Sequence, residues 1–160
     1  MKINTEIGKR RSLTMKIEMA ELFSKEHTGA VKLRKQVLGG KIDWDNEKNL
    51  SVFVAVENDE VVGTAAIQLY PFGIARVRQV AVSPDYQGQH IGDQLMSSLE
   101  EFAQEQGHFR IILTGRKTAQ LFYMKRDYHR VLGYFTKHDI EFIWMTKVLP
   151  AVEVPVFSEN

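Results

Sequence analysis

The 160-residue chain has no cysteine. That absence excludes disulfides, zinc sites built on thiolates and any acyl-cysteine intermediate. Long apolar runs are missing as well. Met1 to Thr14 is polar, carries Lys9-Arg10-Arg11 and has no apolar segment behind it. Neither a secretory signal nor a membrane span is therefore expected, and a reducing, cytoplasmic setting is. The basic triplet reads as a solvated, frayed terminus rather than a phosphate contact. Charge of one sign is not in excess either. Twenty-one Lys and Arg against twenty Asp and Glu leave a formal +1, so nothing demands a nucleic acid or an anionic membrane as partner.

Several catalytic fingerprints are also missing. There is no G-x-G-x-x-G, no G-x-S-x-G elbow and no H-E-x-x-H helix. Gly115-Arg116-Lys117-Thr118 resembles the end of a nucleotide-binding P-loop but lacks the required leading glycine. His27, His90, His108, His129 and His138 contain no pair at helical ligand spacing, so no metal is expected.

What is present is 44% hydrophobic sequence, enough for one ordinary domain over residues 1–160 that buries roughly two thirds of its unfolded surface. Residues 1–14 and 150–160 read as peripheral tails. Met15 to Ala20 is a first strand or an extended lead-in. Ala30 to Leu38 places Val31, Leu33 and Val37 on a helix that Gly39-Gly40 ends. Lys41 to Asn49 is a polar, acidic loop. Ser51 to Glu57 and Val61 to Tyr70 are β-branched strands joined through Asn58-Asp59 as a hairpin. Pro71-Phe72-Gly73 turns the chain into a strand over Ile74 to Val82, which Ser83-Pro84 stops. From Ile91 to Gln106 the period lengthens, and Ile91, Leu95, Leu99, Phe102 and Ala103 share one helical face up to Gly107. A short buried strand over Arg110 to Thr114, a helix over Thr118 to Lys125, and closing strands over Tyr128 to Leu132 and Ile140 to Leu149 complete the chain. This order predicts an α/β fold with a mixed, mostly antiparallel sheet and helices on its faces.

The informative segment runs from Val80 to Gly92. An apolar strand enters a polar loop containing Gly88, and the loop opens directly onto an amphipathic helix. The first amides of such a helix have no partner within it, and the helix dipole adds about half a positive charge. The loop is thus suited to hold a diphosphate on backbone N–H groups. Alone, this signal is also that of a plain strand-to-helix turn.

Three segments in order make the reading specific. Val80 to Gly92 resembles a strand ending in V-x-P followed by Q/R-x-x-G-x-G/A, here Gln87-Gly88-Gln89-His90-Ile91-Gly92. Leu113 to Tyr128 resembles L-x-A-x-x-x-A-x-x-F-Y-x-x-x-G-F, with Ala119, Phe122 and Tyr123 in register. Gly133 to Leu149 is similar to a closing F-x-x-x-G-I-P-H-x-x-M-x-K hairpin, with Met145 and Lys147 aligned. Together with the Leu33 to Leu38 helix, these make the chain resemble the GCN5-related N-acetyltransferase family, in its small bacterial form, from about Arg34 to Leu149.

The resemblance implies the acyl-CoA N-acyltransferase fold, with the central sheet splayed between Ile74–Val82 and Arg110–Thr114. It implies acetyl-coenzyme A as co-substrate, its pantetheine arm on the exposed backbone of Val80, Ala81 and Val82. The diphosphate would lie on the amides of Gln87, Gly88, Gln89, His90, Ile91 and Gly92, with Thr114, Ala119 and Phe122 completing the cofactor-binding set. An acceptor amine, small-molecule or peptide, would attack the thioester directly, and Tyr123 would protonate the leaving thiolate. Either a monomer or a homodimer fits.

Several departures from the pattern matter. His90 replaces a glycine and is read as harmless in a first helical turn. Asp93 opposes a diphosphate unless its side chain turns away. Asp127 replaces a glycine at a turn where Asp accepts the left-handed conformation. Phe142 replaces the usual histidine of the last hairpin. Where relatives carry a glutamate base on the central strand stands Arg78, beside Gln79. The amine proton then leaves through water, or the acceptor has a low pKa, or the chain binds acyl-CoA with little catalysis. The loop with Asp43, Trp44, Asp45 and Glu47 is either a solvated charged loop or a receiver for a cationic amine.

Overall fold

The structure is a computed structural model that describes residues 15–151. Lys9 to Arg11 and the tail from 152 onward lie outside the described residues.

Its centre is an eight-stranded sheet in the order β1-β2-β3-β4-β5-β8-β6, with β7 also paired to β8. The strands are β1 (Lys16–Ala20), β2 (Leu50–Glu57), β3 (Glu60–Tyr70), β4 (Ile74–Val82), β5 (Arg110–Arg116), β6 (His129–Arg130), β7 (Phe135–Lys137) and β8 (Ile140–Val148). All pairs are antiparallel except β4 with β5. The helices are α1 (Lys25–Val37), the single turn α2 (Trp44–Glu47), α3 (Ile91–Glu105) and α4 (Gln120–Lys125). The predicted mixed, mostly antiparallel sheet flanked by helices is the observed one.

The β2–β3 hairpin forms where the sequence places it. Asn58 and Asp59 both have positive φ, 51° and 62°, as a two-residue hairpin turn of the primed type requires. His138 and Asp139 repeat this geometry between β7 and β8. That second hairpin falls within the closing hairpin implied for Gly133 to Leu149, but the strand bounds read from the residues change. The strand expected over Tyr128 to Leu132 shrinks to His129–Arg130, and the pairing passes to Phe135–Lys137.

Helix α1 starts five residues earlier than its apolar spacing predicts, because a cap and not a hydrophobic residue sets its beginning. The Ser24 hydroxyl oxygen accepts from the His27 amide at 3.2 Å. Part of the loop expected over Lys41 to Asn49 is likewise the short helix α2, capped by Asp43. Helix α3 buries Ile91, Leu95, Met96, Leu99 and Ala103 against Phe53, Ile67 and Val77 of the sheet. Each of the larger side chains contributes about 1.5–3 kcal/mol by leaving water. On the other side of the sheet, α1 packs Ala30 on Val52, Val54 and Ala66.

The feature that makes a site is the parting of β4 from β5. Their parallel pairing runs only from Ile74↔Arg110 to Val77↔Leu113. Beyond Val77, strand β4 is irregular against β3, where Ala66↔Arg78 gives way to Thr64↔Ala81. Gln79 lies in this bulge with φ 57°. Strand β5 stays paired with β8 as far as Arg116↔Phe142. The two strands therefore part from Val77 and Leu113 onward.

Candidate active site

The β4–α3 loop has the shape of a cradle lined by open backbone donors. Ser83 anchors the end of β4 by donating its amide to Val62 O at 2.8 Å, and Pro84–Tyr86 forms one tight turn. Gly88 has φ 78°, a conformation that costs a glycine nothing. Among the described residues, the amides of Gly88, Gln89, His90, Ile91, Gly92 and Asp93 donate to no protein acceptor, and Gln87 reaches Pro84 O only at 3.5 Å. A row of open donors thus precedes the N-terminus of a fifteen-residue helix.

His90 differs from the sequence reading. It is not in the first helical turn but caps α3 from the left-handed region, with φ 61° and ψ 22°. Histidine is enriched there relative to bulky residues, yet the conformation costs about 1–3 kcal/mol. The imidazole Nδ1 lies 3.1 Å from Asp93 Oδ2. Asp93 is held on its other side by Arg126 Nη1 at 3.2 Å. The hydrogen bond with His90 lowers the Asp93 pKa, burial opposes it, and the hydrogen bond and charge of Arg126 lower it further. Its charge is therefore offset before any diphosphate approaches. Asp127 has φ 70° and takes the left-handed turn expected of it.

Two cavities open along the gap. The first, about 540 Å³, is lined by Val80, Ala81 and Val82 of β4, by Gln87, Gly88, His90, Ile91, Gly92 and Asp93 of the cradle, and by Thr118, Ala119 and Phe122. Gln89 does not line it. The second, about 700 Å³, lies toward the β7–β8 hairpin and the end of α1, and it takes in Thr114. Leu38, Val80, Arg116, Ala119 and Tyr123 line both. The two cavities thus share walls at the splayed strands.

Tyr123 stands at that junction. Its ring is edge-on to Phe122 at 5.0 Å and to Tyr128 at 5.8 Å, and it lies against Gly115. The residue is 6% exposed, and burial pushes its pKa up to about 12. Its hydroxyl has no hydrogen-bond partner among the described residues and is not sealed from solvent. A phenol kept protonated, unpaired and open to a cavity is suited to donate a proton.

Tyr128, by contrast, is committed to structure. Its hydroxyl donates to Glu100 Oε2 at 2.8 Å, and burial, then the Glu100 charge, raise its pKa. Glu100 Oε1 also accepts from Arg126 at 2.9 Å and Lys147 at 3.1 Å. This carboxylate ties α3, the α4 exit and β8 together behind Tyr123.

A model of the acetyltransferase (GNAT) family matches residues 16–134. This chain belongs to that family. The GNAT fold is also that of solved structures. A proposed N-acetyltransferase from Lactobacillus plantarum superposes with TM-score 0.76 at 23% identity, over 86% of this chain and 99% of that one. The ribosomal-protein-S18-alanine N-acetyltransferase of Escherichia coli gives 0.72 at 17% identity, over 91% and 99%. A GNAT acetyltransferase from Elizabethkingia anophelis, solved with acetyl-CoA bound, gives 0.69 at 16% identity, over 85% and 99%.

In this GNAT domain Asp43 and Glu47 of the acidic loop line a smaller cavity, about 70 Å³, together with Arg78 and Gln79 of β4. Glu47, 3% exposed, pairs with Arg34 at 2.7 Å and His27 at 2.9 Å, and the Asp43 side chain accepts from the Asn46 amide. These two carboxylates are engaged internally, and the larger cavity is lined by none of the four loop residues. Its polar lining is instead Arg76, Arg78, Gln79, Thr114, Arg116, Lys137 and His138. Arg78 donates to Gln68 Oε1 at 3.1 Å. Sequence reasoning missed Arg76, Lys137 and His138. The two-residue spacing of Arg76 and Arg78 was the available signal for the first, since alternate strand residues share a face. Nothing local marked the other two, which the β7–β8 hairpin brings in. Among the described residues no acidic or histidine cluster could hold a metal, and no helix is long and apolar enough to cross a membrane.

Proposed function

We propose that this protein transfers the acetyl group of acetyl-CoA to a primary amine by direct attack within a ternary complex. The observation that carries this reading is Tyr123 standing where an amide-lined cleft meets a second cavity. The open amides from Gly88 to Asp93 suit the cofactor's diphosphate, and the backbone of Val80 and Val82, freed by the bulge, suits the pantetheine arm. The acceptor amine occupies the second cavity. Its nitrogen forms the bond to the acetyl carbon, the carbon–sulfur bond breaks, and Tyr123 gives the thiolate its proton. The amine's own proton passes to water or to His138, the imidazole that lines the acceptor cavity. The whole chain acts as one cytoplasmic domain, as a monomer or homodimer.

The test follows free-thiol release from acetyl-CoA across a panel of amines, beside calorimetric binding of acetyl-CoA. Binding with release dependent on one amine class supports transfer. A second reading, an acyl-CoA-binding module without catalysis, is favoured by the lack of any carboxylate in the acceptor cavity lining. Binding without thiol release from any amine would establish it.

A further inference from the structure

The acceptor cavity carries four permanent or near-permanent cations, Arg76, Arg78, Arg116 and Lys137, and no Asp or Glu. In a chain of formal charge +1, this concentration is local rather than general. None of the four makes an ion pair among the described residues. Arg78 donates to the neutral Gln68 amide and borders a small cavity with Asp43 and Glu47 without pairing with either, and Arg76 lies over the Trp144 ring at 5.0 Å with its Nε buried and unpaired. Burial, and then the like charge of Arg78, lower the Arg76 pKa against a weaker opposing contact with Tyr70. Arg76, Arg78 and Lys137 do not line the cofactor cleft. Along β4, Arg78 is about 13 Å of strand from Val82, before the cradle begins. The diphosphate is therefore not their counter-ion.

We infer that the acceptor is an amine that also bears an acid group, a carboxylate as in an α-amino acid, recognised by Arg76, Arg78 and Lys137 with Arg116 at the junction. The inference rests on the acyl-transfer reading, which assigns this cavity to the acceptor. Guanidinium forks match carboxylate geometry and accept no proton, so they hold the acid group without competing for the amine proton. A purely cationic polyamine would meet like charges on every side. The choice also eases the chemistry. With its carboxylate neutralised by the guanidiniums, the α-ammonium titrates nearer the about 8 of a peptide N-terminus than the about 10.4 of a lysine side chain. A far larger fraction is then neutral at pH 7, which suits a site with no carboxylate base.

The test compares L-amino acids with their carboxamides and with the decarboxylated amines, by thiol release and by calorimetric binding to the CoA-saturated protein. An aminoalkylphosphonate distinguishes a carboxylate from a phosphate-type acid. The expected result is at least a tenfold preference in kcat/KM or in Kd for the acid-bearing members. That preference should fall several-fold in Arg78→Gln and in Lys137→Gln, with acetyl-CoA binding retained. Arg76→Gln is the stronger variant, but Arg76 packs on Trp144; should it fail to fold, the other two carry the test. Equal use of acids and amides, a preference for cationic amines, or binding of no member of the panel would overturn the inference. Acid-selective binding without thiol release would leave it standing and overturn acetyl transfer instead.

Discussion

Gly115 on β5 lies against the ring of Tyr123, so closely that a Cβ at position 115 would sit 3.0 Å from Cε2 of the tyrosine. The contact links the splayed strand to the proposed proton donor. Tyr123 is also boxed by Phe122 and Tyr128, so its ring has little room to yield. Gly115→Ala should therefore move the phenol by a few tenths of an ångström. Small misplacements of reacting groups lower rates severely. The expected outcome is a fall in kcat of about ten- to a hundredfold, with acetyl-CoA affinity changed by less than threefold. Steady-state kinetics beside calorimetry checks this, and an unchanged kcat would mean that the Tyr123 position is not critical.

Tyr123→Phe removes the hydroxyl and keeps the packing. An acid that protonates a thiolate of pKa about 8.5 supplies about 2 kcal/mol at pH 7, and a positioned acid adds more in the transition state. Turnover should fall roughly ten- to a thousandfold with cofactor binding intact. Wild-type turnover in this variant would remove Tyr123 from the mechanism.

The same residue predicts a dependence of stability on pH. The folded-state pKa of about 12 lies above the ordinary value of 10, so the native state binds the phenolic proton more tightly than the unfolded chain. That contribution is fully present below pH 10 and is lost as pH rises from there through about 12, by up to about 3 kcal/mol. Urea denaturation between pH 9 and 11.5 should therefore show a steeper alkaline loss in wild type than in Tyr123→Phe. Parallel curves would place the phenol in water rather than in the protein.

Glu100 offers a test of the support behind the site. It accepts from Tyr128, Arg126 and Lys147, and its removal strands the Tyr128 hydroxyl and the Lys147 ammonium, while Arg126 keeps Asp93 and Ser97. Losing one partner of a buried charge pair costs about 3–5 kcal/mol. Glu100→Ala should lower stability by that amount in urea. Glu100→Gln, which keeps one carbonyl oxygen, should lose about half. A loss below 1 kcal/mol in Glu100→Ala would show that solvent replaces the carboxylate.

How far the sequence carried can be read from particular residues. Asn58-Asp59, the Ile91 to Ala103 face and the Gly88 loop carry their structure locally, through turn chemistry, helical period and open amides, and each appears where expected. Helix α1 starts early because Ser24 caps five residues that have no apolar period. The left-handed φ of His90 is set by how the loop must enter α3, which composition does not encode. The character of the larger cavity is tertiary. Arg76 and Arg78 come from β4, Arg116 from β5, and Lys137 and His138 from a hairpin whose strand is three residues long. No window of sequence holds them together.

His138 provides the last test, because the turn that brings it to the cavity also dictates the right substitution. It occupies the first position of the β7–β8 turn with φ 51°, where asparagine is favoured and most residues are strained. His138→Asn thus deletes the imidazole while preserving the hairpin, whereas His138→Ala would mix loss of chemistry with backbone strain. If the imidazole takes up the amine proton, kcat/KM for a weakly acidic amine such as a lysine side chain should fall about a hundredfold in the asparagine variant. An α-amine, whose deprotonation at pH 7 costs only about 1 kcal/mol, should lose far less. Equal rates for both amines in wild type and His138→Asn would assign the proton to water and leave His138 as the turn residue alone.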